Sequence, residues 1–264
     1  MEVEGNHNFV ANGMLVHNCH RHGAVEWGRA VTLFPARLRV GLSATPRRGD
    51  GLWDVIRWHV GEVLVRAEGG GSATVYLVST DVNLPPVVYA GRGAAEMNLG
   101  RLVTALTNVA WRNKIIVSEI CHALRAGRRI LVLSDRLDHL DTLAEQFKSA
   151  WGDAEVPAVG RYVGGMKDAD IERNRDCRLL LGTYQYAKEG LDDPGLDTLF
   201  LATPKSDVEQ PVGRILREFP GKKPPLVVDF VDDRTGPCAG FAKRRRRQYE
   251  HLGFKVREAS PEPA

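Results

Sequence analysis

The stretch "RILVLSDRLDHLDTLAEQF", residues 129–147, decides how the chain is read. Its first six residues form an apolar run without alternation, the pattern of a strand buried on both faces. The remainder sets Leu137, Leu140, Leu143, Ala144 and Phe147 on one face of a helix. Three more runs of the same kind follow, "RLLLGT" (178–183), "TLFLAT" (198–203) and "PLVVDFV" (225–231). Between the last two a helix is expected to begin at Ser206, whose hydroxyl would cap it while Glu209 reaches back. Val208, Val212, Ile215 and Phe219 keep helical spacing along it. Upstream, Leu99, Leu102, Val103, Leu106, Val109 and Ala110 open a helical pattern, and a second runs through Ile115, Ile116, Ile120 and Leu124 to Gly127. Apolar strands alternating with amphipathic helices predict an α/β fold, a parallel sheet with helices on both faces.

Working outward, "RLRVGLSATP" (37–46) is a short strand entering a polar loop, and "ATVYLVS" (73–79) is another strand candidate. "GGGS" at 69–72 and the pair Pro85–Pro86 punctuate the chain between them. The segment "FAKRRRRQYEHLGFKV" is basic and is expected to begin as a helix, and the closing "SPEPA" is expected to be disordered.

The 264 residues allow one to two domains with a sizeable core, and the net charge of +3 permits nucleic acid without arguing for it. Cys19, Cys121, Cys177 and Cys238 show no paired spacing, which speaks against a disulfide framework and for a reducing compartment. The apolar run from Phe9 to Val16 is too short for a membrane span, and Glu2 and Glu4 do not suit a signal peptide. A cytoplasmic protein with no membrane partner is expected.

"FVANGMLVHNCHRHGAVEW" (9–27) crowds His17, Cys19, His20 and His22 into six positions. Structural zinc takes four ligands, usually as two close pairs separated by a loop, and no second cluster exists, so no metal is expected there. The apolar runs on either side of Asn12-Gly13 signal a hairpin instead, and it ends in His-Asn-Cys. An Asn side-chain amide can attack its own carbonyl, form a succinimide and cut the chain after itself. A neighbouring His can assist that step, and a following Cys can accept an acyl group.

On those residues the start of the chain resembles the C-terminal end of an intein, with "HNF" at 7–9, "NG" at 12–13 and "VHNC" at 16–19. The resemblance implies Asn18 as the cyclising residue, His17 as its neighbour, His7 as the assisting histidine, and Cys19 as the first residue of the host protein. Nothing matches the intein's N-terminal motifs, so splicing would require a separate partner half.

From Cys19 onward the text resembles a superfamily 2 helicase of the XPB-like and phage type. "CHR" would complete an Asp-Glu-Cys-His motif if the preceding host segment ended in Asp-Glu. "RVGLSATPRRGDGL" (39–52), the 129–147 stretch, "LLLGTYQYAKEGLDDPGLDTLFLATP" (179–204) and "QPVGRILR" (210–217) follow in the family's order. The resemblance implies RecA-like lobes: an intein tail at 1–18, a remnant of the first lobe at 19–70, a linker at 71–94, the second lobe at 95–235 and a basic tail at 236–264. It implies ATP and magnesium as cofactors and DNA, or RNA, as partner.

The residues carried over are Arg217 as arginine finger, Arg214 as a γ-phosphate or bridging contact, Gln210 as the orienter of water, and His20 as the coupling histidine. Glu189, Gly190, Asp192 and Gly213 would line the nucleotide, and Ser43, Ala44 and Thr45 would couple it to the strand. Arg214 and Arg217 stand three apart on an expected helix and could share one cleft. Thr183, Arg244 and Arg245 are candidates for phosphate contact. No "GxxxxGK[ST]" loop occurs in the sequence. The expected activity therefore belongs to a product joined to an N-terminal half carrying that loop. The alternatives are a binding lobe without chemistry and a split-intein splicing partner.

Overall fold

The computed structural model describes residues 2–3, 8–11, 14–18, 29, 33, 39–42, 51–65, 71–85, 98–152, 155–174, 176–189 and 193–259. The chain divides into two units, residues 1–68 and 69–264.

In the first unit a four-stranded sheet runs in the order β1 (Glu2–Val3), β2 (Asn8–Ala11), β3 (Met14–Asn18), β4 (Val40–Leu42). β2 and β3 pair antiparallel with Ala11 opposite Met14, which leaves Asn12 and Gly13 between them, as the hairpin reading requires. The hairpin is not isolated: β3 runs parallel to β4, with Val16 opposite Val40 and Asn18 opposite Leu42. Both strands therefore end at the same edge of the sheet. A helix, α1 (Trp53–Val60), follows; it buries Ile56 and leaves Trp58 exposed. Gly61 ends it at φ +113°, with its amide on the Arg57 carbonyl.

The second unit is built on a seven-stranded sheet, β5 (Thr74–Ser79), β6 (Ile130–Ser134), β7 (Val159–Tyr162), β8 (Leu179–Thr183), β9 (Thr198–Leu201), β10 (Leu226–Val231) and β11 (Lys255–Ala259). Its order is β11-β5-β10-β9-β6-β8-β7, and every pairing is parallel. Successive side chains point to opposite faces, so each apolar run feeds two cores. Ile130 and Val132 join Leu181, Phe200, Val228 and Phe230 on one face. There they pack under α3 (Ala110–Arg125) and α4 (Leu137–Trp151) through Ile116, Ile120, Leu140, Leu143 and Phe147. Leu131 and Leu133 join Leu180, Leu199, Leu201 and Val227 on the other. That face is covered from α6 (Tyr184–Glu189), α7 (Glu209–Ile215) and α8 (Cys238–His251) by Tyr184, Val212, Ile215 and Tyr249. α2 (Leu99–Thr107) and α5 (Asp168–Asn174) complete the helices described.

Several expectations change. The span 71–94 is not a linker throughout, because β5 lies inside the sheet between β10 and β11. The span 236–264 is not merely a tail: α8 packs its inner face on the core, and β11 extends the sheet edge. β11 escapes an apolar-run search because an edge strand carries exposed charges, here Lys255, Arg257 and Glu258. The helix expected from Ser206 starts later, at Glu209, where the Asp207 carboxylate accepts the Glu209 amide at 3.2 Å. It ends at Ile215, so Phe219 lies beyond it, half exposed.

Candidate functional site

In parallel α/β sheets ligands bind beyond the carboxyl ends of the strands, where the loops leave the sheet. Across that edge of the second unit the chain emerges at Thr80 (β5), Asp232 (β10), Thr203 (β9), Asp135 (β6) and, at the end of β8, Thr183. The middle of the edge is tightly tied. The Asp135 amide donates to Thr203 Oγ1 at 3.0 Å, and the Lys205 ammonium pairs with the Asp135 carboxylate at 2.9 Å. Lys205 also lies over the Tyr184 ring, 5.2 Å from its centroid, while the Tyr184 hydroxyl donates to the Thr203 carbonyl at 2.8 Å. Burial pushes the Tyr184 phenol far up, so it stays a neutral donor.

Gln210, Gly213 and Arg214 all sit on α7, which follows this loop. Gln210 and Arg214 are half-buried; Gly213 is exposed, and a Cβ built there meets nothing within 4 Å. Arg217 is exposed and stands past the end of α7, so the expectation of two arginines on one helix is corrected. Its backbone is nonetheless held, since Lys222 Nζ donates to its carbonyl at 2.6 Å. Thr183 ends β8, half-buried, with its hydroxyl 3.4 Å from the Tyr186 amide. Gly190 and Asp192 lie outside the described residues, as does the side chain of Glu189. The same holds in the first unit for His7, Cys19, His20, Ser43, Ala44, Thr45 and the side chains of His17 and Asn18.

The basic run divides by helical geometry. Lys243, Arg244 and Arg247 are exposed, and Arg246 is shared between Glu250 at 3.3 Å and Glu258 at 2.9 Å. Arg245 is the exception to the expected phosphate contact. It is 2% exposed, its Nε donates to Asp229 Oδ2 at 2.7 Å, and its Nη1 donates to the Lys205 carbonyl at 2.6 Å. Tyr249 adds its hydroxyl to the same carboxylate oxygen at 3.0 Å. Burial alone would weaken the Arg245 charge, but the Asp229 carboxylate outweighs it and raises the pKa. A guanidinium so engaged does not reach a nucleic-acid backbone.

Two further polar clusters were not anticipated from sequence. Arg112, fully buried on α3, grips Asp232 with Nε at 2.7 Å and Nη2 at 3.1 Å, and Thr80 Oγ1 donates to the same carboxylate at 2.6 Å. Beside it runs a line of hydrogen bonds. Asn113 Nδ2 donates to the Thr107 carbonyl at 2.8 Å, leaving its Oδ1 to accept from His139 Nε2 at 3.0 Å. His139 Nδ1 then accepts from the Ser134 hydroxyl at 3.0 Å, and the Arg136 amide donates to that hydroxyl at 3.1 Å. Ser, His and Asn in line would suit a nucleophilic hydrolase, but Ser134 is 0% exposed and His139 2%, so no substrate reaches them.

Burial, reinforced by the nearby Arg112 charge, lowers the His139 pKa from 6.5 to about 3. Between those values the unfolded chain binds a proton that the folded chain does not. Its contribution is therefore fully present above pH 6.5 and is lost as pH falls toward 3. Lowering pH from 7.5 to 5 should remove on the order of 2 kcal/mol through this group. Urea unfolding of His139→Gln beside the parent checks it: the variant's stability should fall less over that range, and parallel curves would contradict the assignment.

Among the described residues no group of three or more His, Cys, Asp or Glu side chains could hold a metal. The acids near the sheet edges are committed to cations: Asp135 to Lys205, Asp193 to Arg129 at 2.8 Å and Asp197 to Arg128 at 3.3 Å. No described helix is long and apolar enough to cross a membrane.

The seven-stranded parallel sheet with its flanking helices is the fold of a RecA-like helicase lobe. A fragment of a putative HsdR subunit of a type I restriction enzyme from Vibrio vulnificus matches with a TM-score of 0.64 at 17% identity, over 93% of this chain and 47% of that one. S. cerevisiae Dbp5 bound to RNA and ADP BeF3 matches at 0.57 and 11%, over 94% and 59%. T4 UvsW matches at 0.52 and 18%, over 94% and 54%. No family model matches.

In sequence the chain is helicase-like. It is 28% identical over 250 residues to a protein of Acanthamoeba polyphaga mimivirus named a putative ATP-dependent RNA helicase, covering 93% of this chain and 48% of that protein. It is 24% identical over 261 residues to a probable helicase of Escherichia phage T5, covering 97% and 56%. The chain spans about half the length of these relatives. Neither is named an intein, and the phage match, at 97% of the chain, extends into residues 1–18.

Proposed function

We propose that this chain is the C-terminal portion of an ATP-dependent, nucleic-acid-translocating motor of the superfamily 2 type, with DNA, or RNA, as its track. It turns over ATP only when joined to an N-terminal half that carries the phosphate loop and the magnesium carboxylates. The observation that carries the reading is the combination of a helicase-like sequence over nearly the whole chain with a RecA-like lobe whose carboxyl edge leads into the arginine-bearing helix α7. Arg217 is the arginine finger, Arg214 contacts the γ-phosphate, Gln210 orients water, and Glu189, Gly190, Asp192 and Gly213 border the nucleotide. Ser43, Ala44, Thr45 and His20 couple nucleotide state to strand grip. Thr183 and Arg244, with the exposed Lys243 and Arg247, meet the phosphate backbone, a contact weakened by salt. ATP itself brings the leaving group; these residues orient it and offset its charge.

Residues 1–18 are, in this reading, the end of a protein-splicing element that joins the two halves at Cys19. Its support is the spacing of His7, His17, Asn18 and Cys19 together with the hairpin whose second strand ends at Asn18. A second reading is favoured by β3 lying parallel to β4 and by the phage match entering this segment. In it, Met14–Asn18 is a strand of the first motor lobe itself, with His17 and Asn18 where the motif has Asp and Glu.

Mixing the chain with its upstream half and reading intact masses separates the two. Splicing predicts a ligated product lacking residues 1–18, lost on Asn18→Ala. A product retaining those residues, or one that forms equally well from Asn18→Ala, removes the splicing reading.

A further inference from the structure

We infer that α8 is a strut that sets the position of α7, with Gln248 and Arg245 as positioning residues for the nucleotide-facing helix. This rests on the reading of α7 given above. α7 receives no side-chain cap from Val208, the residue that precedes it. Beside the Asp207 carboxylate on the Glu209 amide at 3.2 Å and the Lys205–Asp135 pair at 2.9 Å, its entry is held at three further points.

The first is Thr203, tied to the Asp135 amide at 3.0 Å and to Tyr184 at 2.8 Å. The second is Lys205, whose carbonyl accepts from Arg245 Nη1 at 2.6 Å. The third is Val208, buried, whose amide donates to Gln248 Oε1 at 3.3 Å. Two of the three anchors therefore come from α8, three residues apart on its inward side. They are immobilised in turn, because Arg245 is locked to Asp229 on β10 at 2.7 Å and Tyr249 closes on the same carboxylate at 3.0 Å. Asp229 is 1% exposed, and its second oxygen has no partner. Its other oxygen, Oδ2, carries both contacts that hold α8.

The consequence is mechanical. A helix that must present side chains to a phosphate within a fraction of an ångström needs its entry fixed, and a loop alone does not fix it. α8, lying after β10 in the chain, supplies that support. A run read from sequence as a phosphate-binding strip thus contains a residue that supports the entry to α7.

Gln248 carries the test, since Arg245→Ala removes one member of a buried ion pair and unfolds too easily. In this chain, amide exchange over residues 205–215 should rise about tenfold in Gln248→Ala, while Gln248→Glu, which keeps an acceptor oxygen, should stay near the parent. In the protein joined to its N-terminal half, Gln248→Ala should lower kcat about three- to tenfold with little change in KM for ATP, and Gln248→Glu should restore it. Unchanged exchange in Gln248→Ala overturns the strut. Faster exchange with unchanged kcat overturns the positioning role. Absence of ATP turnover in the unsubstituted joined protein is a failure of the functional reading alone, and the exchange measurement then still decides whether α8 holds α7.

Discussion

Alanine at position 217, in the protein joined to its N-terminal half, is expected to lower ATP turnover by about 10³-fold or more while leaving the unfolding midpoint unchanged. The size follows from what a cation on the γ-phosphate contributes in related phosphoryl transfer, about 10³–10⁵ in rate. The neutrality toward folding follows from position: Arg217 is exposed and past the end of α7, so its side chain does not fill the core. What is fixed is its backbone, through Lys222 Nζ on the Arg217 carbonyl and on that of Pro194 at 3.1 Å. A guanidinium exposed to solvent on a held backbone suits a group that must meet a phosphate. Arg217→Lys should recover little, because an ammonium lacks the planar fork. Turnover of Arg217→Ala within about tenfold of the parent would remove the finger assignment.

The largest stability effect is expected at Arg112. Removing it strands the Asp232 carboxylate in the interior, at a cost of about 3–5 kcal/mol in unfolding free energy. Arg112 is 0% exposed and makes both arms of a bidentate pair, and Asp232 is 2% exposed, so solvent does not reach the carboxylate left behind. Asp232 also receives Thr80, so the pair ties the carboxyl ends of β5 and β10 to α3. Changing both members to leucine should cost less than either single change, since a paired charge is replaceable by apolar packing while a lone one is not. A urea-unfolding double-mutant cycle checks this; additive losses would show that the two do not act as a pair.

The difference between what sequence and structure reveal follows from where polar residues sit. The strands β6, β8, β9 and β10 were readable because both of their faces are buried and, Asp229 apart, their residues are apolar or small. β7 and β11 were missed because edge strands are short and tolerate polar residues. Arg245 was misassigned because a run of five basic residues reads as one feature, although a helix distributes it around its axis. The signal was present: Cys238, Arg245, Tyr249 and Leu252 share a helical face, and Asp229 interrupts an apolar strand and therefore demands a buried cation. Arg112 gave the same kind of warning, lying among the inward positions of a helix. Gln248 gave none, since its contact with Val208 crosses forty residues and depends on how two helices are packed. Of the site, motif order placed Gln210, Gly213 and Arg214 on one helix, but the helix end before Arg217 was not visible in the spacing.

The most direct test of the account is ATP hydrolysis with single-stranded nucleic acid present, measured on the chain alone and on the same chain joined to its N-terminal half. The account predicts no turnover from the first and nucleic-acid-stimulated turnover from the second. Hydrolysis by the chain alone at the joined protein's rate, or none from either, would contradict it.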